Sequence, residues 1–298
     1  MQVTKLSPQS YCKGVILALK KCISTIEDIK TERPIYLLGM IIHNKFVCDE
    51  LKKMGITILE GDNKVELLDQ INSGTVIISA HGVSLKVKEK AKSKGLNVID
   101  ATCPDVEKVH QNIFLYLNDG YEILYIGKKN HPESIGVLEE SDKIYLLDSI
   151  ENIKDINKNK KYYVTNQTTL SLDVVSKYHK EIKKEIPNAV IENKICMSTT
   201  RRELALNDIK HDLIIVVGDK KSSNTHKLYE TAKNKADSKE VILIESAHDL
   251  LNFDFKDYQD IAITSGASTP IALVDQIVKY IENGFDKEIL NEDLFFFI

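Results

Sequence analysis

Short runs rich in Ile, Val, Leu and Tyr alternate along this chain with longer amphipathic stretches. Strands are predicted near 34–39, 56–59, 76–80 and 97–100, then near 123–127, 143–147, 162–165 and 189–192. A third group lies near 212–218, 240–245 and 260–264, with no fourth strand before the chain ends. Such alternation implies α/β architecture with parallel sheets covered by helices. Segment 2–6 is expected to supply the missing strand. The fourth strand of each earlier group leads directly into Cys103 or Cys196, and segment 2–6 leads likewise towards Cys12.

The hydrophobic pattern therefore repeats, with a cysteine recurring about every ninety residues, longer than a solenoid period, so a closed arrangement of three units is expected. After each cysteine a strand ends in glycine and a polar residue follows four positions later: Gly39 to His43, Gly127 to His131, Gly218 to Ser222. A later strand in each unit ends in polar loops, Ser79-Ala80-His81-Gly82, Asn166-Gln167-Thr168-Thr169 and Ser265-Gly266-Ala267-Ser268. The expected division is 1–12 as an N-terminal strand closing on the third unit, units 13–102, 103–195 and 196–282, and a tail 283–298. Segment 152–161 reads as a solvated connector. The tail, ending Leu294-Phe295-Phe296-Phe297-Ile298, is expected to dock on the body.

Composition narrows the function. Hydrophobic content of 43%, charge of 28% and a net charge of −4 fit a globular protein without a nucleic-acid footprint. No run is long enough to span a bilayer and the N-terminus lacks an apolar core of signal-peptide length, so a cytoplasmic location is expected. Five dispersed cysteines argue against a disulfide framework and for reduced thiols.

No Cys-x-x-Cys pair occurs, so any shared ligand must be gathered by the fold. Cys12, Cys103 and Cys196 occupy equivalent strand-to-helix junctions, where a thiol is favoured as thiolate, whereas Cys22 and Cys48 have no counterparts and read as structural. Three thiolates without a fixed fourth partner suit an iron-sulfur cluster with one incompletely ligated iron, or a zinc site completed by His or water.

The polar loops expose backbone N–H groups beside hydroxyl, amide and imidazole side chains, which suits an anion. The richest is Gly218-Asp219-Lys220-Lys221-Ser222-Ser223-Asn224, with Ser268 on a neighbouring strand end. His43 and His131 occupy matching positions, and His81 lies in the loop matching those of Thr168 and Ser268; His110, His179, His211, His226 and His248 lack such correspondence. Glu133, two residues after His131, could keep its proton in a closed site and deliver it.

Together the segments Tyr11-Cys12-Lys13-Gly14-Val15, His43-Asn44, Ser79-Ala80-His81-Gly82-Val83-Ser84, Asp100-Ala101-Thr102-Cys103-Pro104, Asn130-His131-Pro132-Glu133, Gln167-Thr168-Thr169-Leu170-Ser171, Ile195-Cys196, Ser222-Ser223-Asn224 and Gly266-Ala267-Ser268 span nearly the whole chain. In order and number they resemble the LytB/IspH family, the 4-hydroxy-3-methylbut-2-enyl diphosphate reductases of the non-mevalonate isoprenoid pathway.

The resemblance implies a trefoil-like arrangement of three α/β units around one 4Fe-4S cluster, with Cys12, Cys103 and Cys196 as ligands and one iron open to substrate. It implies that His43, His81, His131, Ser222, Ser223, Asn224 and Ser268 bind a diphosphate. Thr168 and Glu133 would contact the substrate's hydroxyl end, Glu133 directing proton delivery. The implied reaction is a two-electron reductive dehydroxylation giving isopentenyl and dimethylallyl diphosphate. Reduced ferredoxin or flavodoxin is the expected donor, acting on a monomer without nucleic-acid or membrane partners. An iron-sulfur sensor or electron carrier is the alternative, but it has no use for a diphosphate clamp or a proton-donating Glu133.

Overall fold

The computed structural model describes residues 1–297 and forms three four-stranded parallel sheets. Elements run in the order β1 (Gln2–Lys5), α1 (Lys13–Glu27), β2 (Ile35–Leu38), α2 (Lys45–Lys53), β3 (Ile56–Leu59), α3 (Lys64–Leu67), β4 (Thr75–Ile78), α4 (Leu85–Ser93) and β5 (Asn97–Asp100). They continue as α5 (Pro104–Asn118), β6 (Glu122–Ile126), α6 (Pro132–Leu138), β7 (Ile144–Leu147), β8 (Tyr162–Asn166), α7 (Leu172–Glu185) and β9 (Val190–Ile191). The last are α8 (Met197–Leu204), β10 (Leu213–Val217), α9 (Ser223–Lys235), β11 (Glu240–Ile244), β12 (Asp260–Ser265) and α10 (Ile271–Glu282).

The sheets share one strand order: β3-β2-β4-β5, β7-β6-β8-β9 and β11-β10-β12-β1. In the third, β1 pairs in parallel with β12, Gln2 opposite Asp260 through Lys5 opposite Ile263. The N-terminal strand thus fills the position that β5 and β9 hold in the other two sheets.

Burial on both faces explains why the strands read as continuous apolar runs. All five residues of β10 are buried, and they alternate between two cores. Leu213, Ile215 and Val217 join Val274, Ile277 and Tyr280 of α10, while Ile214 and Val216 join Leu228 and Ala232 of α9. The second sheet repeats this, with Leu124 and Ile126 facing Val175 and Ile182 of α7, and Ile123 and Tyr125 facing Val109 and Ile113 of α5.

By packing, the chain gathers into two compact units. One comprises Met1–Ile16, His43–Glu50 and Met197–Ile298 and carries the third sheet; the other comprises Leu17–Ile42 and Leu51–Cys196 and carries the first two. The ninety-residue repeat is a division of sequence and strand order, and the compact units are a division of contacts.

Segment 152–161 differs from the connector expected. Ile150–Asp155 form a 3-10 helix started by a reciprocal Ser149/Asn152 capping box, and Ile153 is buried in the second sheet's core. The lysines and asparagines around it masked one apolar anchor. In the tail, Ile289 and Leu290 enter the third sheet's core, the Tyr11 hydroxyl donates to Phe296 O at 2.7 Å, and the rings of Phe46 and Phe296 lie 5.9 Å apart. Phe295 is 72% exposed, and the tail's last residue, Ile298, lies outside the described residues.

Ile215 sits at the centre of the third sheet, fully buried, whereas Ile29 is 95% exposed. Ile215→Ala is expected to cost about 2–5 kcal/mol in urea unfolding, the range for truncating a buried isoleucine, and Ile29→Ala to leave the midpoint nearly unchanged.

Candidate active site

In each sheet the first and third strands of the repeat lie side by side, β2 with β4, β6 with β8 and β10 with β12, and the strand order reverses between them. Loops leaving the carboxyl ends at such a switch point are where open α/β sheets take ligands. The polar loops marked by the sequence leave from these strand ends.

The glycine after each first strand is held alike. Gly39 N–H donates to Leu59 O at 2.8 Å, Gly127 to Leu147 O at 3.3 Å and Gly218 to Ile244 O at 2.8 Å. Five residues beyond the same strand ends stand His43, His131 and Ser222. His81 and Ser268 are three residues beyond the ends of β4 and β12, but Thr168 is two beyond the end of β8. The loops correspond as expected, while Thr168 is the positional equivalent of Ala80 and Ala267.

These three equivalent residues hold the cysteines. Cys12 N–H donates to Ala267 O at 3.1 Å, Cys103 N–H to Ala80 O at 3.0 Å and Cys196 N–H to Thr168 O at 2.9 Å. Two residues earlier a second bond recurs, always to the last residue of the third strand: Ser10 N–H to Ser265 Oγ at 2.9 Å, Ala101 N–H to Ile78 O at 3.1 Å, Lys194 N–H to Asn166 Oδ1 at 2.9 Å. A helix begins directly after each cysteine, and Cys12 Sγ accepts Val15 N–H at 3.5 Å.

None of the five cysteines is in a disulfide. Cys12, Cys103 and Cys196 are half-buried, whereas Cys22 and Cys48 are buried in the core. Half-buried thiols at three equivalent backbone positions are the donor type that an iron-sulfur cluster takes. Among the described residues no group of three His, Cys, Asp or Glu side chains is drawn together to hold a single metal ion.

In the unit that carries Cys12, polar groups of a kind that suits an anion gather at the start of α9. Ser222 caps this thirteen-residue helix, its Oγ accepting Thr225 N–H at 3.4 Å. Ser223 Oγ and Asn224 Nδ2 are buried there without a protein hydrogen-bond partner, which polar groups in a folded core rarely tolerate unless a ligand or water serves them. The helix start adds positive potential. Ser268 Oγ donates to His43 O at 3.1 Å, joining the two loops. Burial pushes the His43 imidazole below its ordinary pKa, and the charge of Asp219 opposes that. A Cβ on Gly266 would lie 2.2 Å from Thr225 Oγ1, so only glycine lets β12 end this close to α9.

In the other unit the central group is Glu133, 2% exposed in the first turn of α6. His131 caps that helix, its Nδ1 accepting Glu133 N–H at 3.2 Å, and its ring meets that of His81 edge-on at 5.9 Å. Thr168 N–H donates to Glu133 Oε1 at 2.8 Å, and Thr168 Oγ1 donates to Oε2 at 3.0 Å. Tyr125 O–H reaches Oε1 at 3.5 Å. Burial raises the carboxyl pKa to about 7 against the opposing Thr168 bonds, the charge of His110 and the Tyr125 hydroxyl.

The sequence did not single out Tyr125 or Arg202, and it marked Asn166 and Ser265 only as members of their polar loops. Tyr125 could have been noticed as an aromatic on the strand leading into the Glu133 loop. Arg201 and Arg202 are adjacent and indistinguishable by type, yet Arg201 is exposed and Arg202 buried. His110, assigned no role, is taken up by structure: its Nδ1 pairs with Glu140 at 2.9 Å, and Glu140 also accepts Leu85 N–H at the start of α4.

Among the described residues no helix is long and apolar enough to cross a membrane. A protein named 4-hydroxy-3-methylbut-2-enyl diphosphate reductase from Geobacillus sp. (strain WCH70) is 40% identical over 286 residues, covering 95% of this chain and 90% of its own length. Among solved structures, the E-1-hydroxy-2-methyl-but-2-enyl-4-diphosphate reductase from Plasmodium falciparum superposes with a TM-score of 0.86 at 34% identity, over 95% of this chain and 89% of that one. A second, described as (E)-4-hydroxy-3-methyl-but-2-enyl diphosphate reductase, the terminal enzyme of the non-mevalonate pathway, gives 0.68 at 29% identity, over 95% and 100%. The family described as LytB protein matches residues 3–282, and this chain belongs to it.

Proposed function

We propose that this protein converts (E)-4-hydroxy-3-methylbut-2-enyl diphosphate to isopentenyl and dimethylallyl diphosphate by two-electron reductive dehydroxylation, the last step of the non-mevalonate pathway. The observation that carries this reading is the chain Glu133, Thr168, Cys196. A buried carboxyl with pKa about 7 is bonded to both the N–H and the hydroxyl of Thr168, whose carbonyl accepts the N–H of a cluster-type cysteine. The acid is thereby linked, through one residue, to the backbone of Cys196. An iron-sulfur sensor or carrier would have no need of that arrangement.

In this reading Cys12, Cys103 and Cys196 hold the cluster, a 4Fe-4S centre with one iron open. Bound there, such a cluster would pass on two electrons, one at a time, from an external reductant and would offer a Lewis acid to the departing oxygen. The protein's own residues orient the substrate and manage protons. Ser222, Ser223, Asn224, Ser268 and His43 take the diphosphate at the start of α9, with His81 and His131 as further donors. Anchoring the diphosphate makes encounter of the hydroxyl end effectively intramolecular, worth roughly several kcal/mol of the barrier.

Proton placement follows from the hydrogen bonds. Thr168 N–H occupies Glu133 Oε1, so the proton of the neutral acid resides on Oε2, 3.0 Å from Thr168 Oγ1. An Oε2–H donating to Thr168 leaves the threonine hydrogen to point at the substrate oxygen. The oxygen leaves as water, and a further proton is taken up at carbon, its position deciding between the two products. Reduced ferredoxin or flavodoxin is the proposed electron source, and the cytoplasm the proposed location.

Anaerobic turnover with reduced methyl viologen is the direct test: isopentenyl and dimethylallyl diphosphate should form, and a carrier would form neither. Glu133→Gln should retain iron and diphosphate binding but lose about 10²–10⁴ in kcat, the usual weight of a positioned acid. Undiminished kcat would remove Glu133 from the mechanism.

The raised pKa also has a pH signature. Glu133 is protonated below about 7, so kcat should be level at lower pH and fall about tenfold by one unit above that value, a limb missing in Glu133→Gln. For stability, the folded carboxyl binds its proton more tightly than the unfolded one, so its stabilising contribution is complete below the ordinary value of 4.5 and is lost as pH rises through about 7. Urea unfolding should therefore show the wild type losing stability relative to Glu133→Gln across that window.

A further inference from the structure

Cys12 is presented differently from the other two cysteines. β5 ends at Asp100, three positions before Cys103, and β9 at Ile191, five before Cys196, whereas β1 ends at Lys5, seven before Cys12, and leaves the longest irregular stretch of the three, Leu6–Tyr11. That stretch contains Ser10 in the left-handed region, φ 61°, which a non-glycine residue holds only when its surroundings impose it. Hydrogen bonds to β12 account for part of the tethering: Leu6 N–H to Ile263 O at 2.9 Å, the Gln9 side-chain Nε2 to Ile263 O at 2.7 Å and Ser10 N–H to Ser265 Oγ at 2.9 Å.

The remaining tether is a buried cation. Arg202, on α8, is 2% exposed. Its Nη2 donates to Ser10 O, its Nε to Ser265 O at 3.1 Å, and its Nη1 to Ser198 O at 3.2 Å and to Ser198 Oγ. One planar fork thus joins the strained residue two positions before Cys12, the last residue of β12, and a residue two positions after Cys196 in sequence. Burying a guanidinium is costly, and lysine could not reproduce the fork. Ser265 is bonded twice over, its Oγ by Ser10 and its carbonyl by Arg202, which locks the Cys12 segment against the strand end.

We propose that Arg202 is a positioning residue for the cluster: it fixes the backbone that presents the Cys12 thiol, holding in place the long irregular stretch between β1 and Cys12. This rests on the reading that the three thiols hold an iron-sulfur cluster.

The test uses full-length wild type, Arg202→Gln, Arg202→Lys and the core variant Ile277→Ala, which removes a buried side chain of α10. All are reconstituted anaerobically with iron and sulfide and compared by rate of iron loss to a chelator, by the EPR spectrum of the reduced protein and by Tm. Arg202→Gln is expected to release iron at least about tenfold faster than wild type with an altered EPR spectrum, and Arg202→Lys to fall between. Ile277→Ala is expected to lower Tm while keeping the wild-type rate and spectrum. A folded Arg202→Gln with the wild-type rate and spectrum overturns the proposal, as does Ile277→Ala releasing iron equally fast. Should Arg202→Gln not fold, Arg202→Lys decides: faster release supports the proposal and an unchanged rate overturns it. Wild type that takes up no iron overturns the cluster reading itself, an outcome distinct from iron-bearing variants insensitive to Arg202.

Discussion

The structure turns on one hydrogen bond made three times: the N–H of each repeat cysteine donates to the carbonyl two residues beyond its sheet's third strand, at Ala267, Ala80 and Thr168. The bond ties the cysteine to the loop at the switch point of its sheet, so thiol and polar loop cannot move independently. It depends on the shared strand order, which sets the fourth strand beside the third in every sheet. Parallel pairing of β1 with β12 extends the same construction to Cys12.

From that constraint the chemistry is distributed by small differences. Where the residue whose carbonyl accepts is alanine, as at Ala80 and Ala267, the loop supplies His81 or Ser268 one residue later. Where it is Thr168, its other two polar groups turn to Glu133. Burial alone would drive that carboxyl strongly towards its neutral form, and the Thr168 bonds pull it back to a value near neutrality. A group that both keeps and yields a proton at cellular pH is the product of the two opposing effects.

Much of this was legible in the sequence for physical reasons. Strands of a parallel sheet covered on both faces must be apolar throughout, and runs such as Leu213–Val217 stand out on that account. The cysteine repeat was legible because one backbone device was used three times. What escaped lay where type does not encode environment. Adjacent Arg201 and Arg202 look alike until one is buried; Ile153 hides among lysines; and the offset between Thr168 and Ser268 appears only once strand ends are known. Grouping of the first two sheets into one compact unit is a matter of packing between elements distant in sequence.

The central claim is that thiols tethered this way hold an iron-sulfur cluster with one iron left for substrate. Mössbauer spectroscopy of the anaerobically purified, iron-57-labelled protein, recorded with and without the allylic diphosphate, addresses it most directly. The account predicts cluster-type iron in which one site is distinct and alone changes when the diphosphate is added. Iron absent altogether, or four sites that stay equivalent in the presence of substrate, would contradict it.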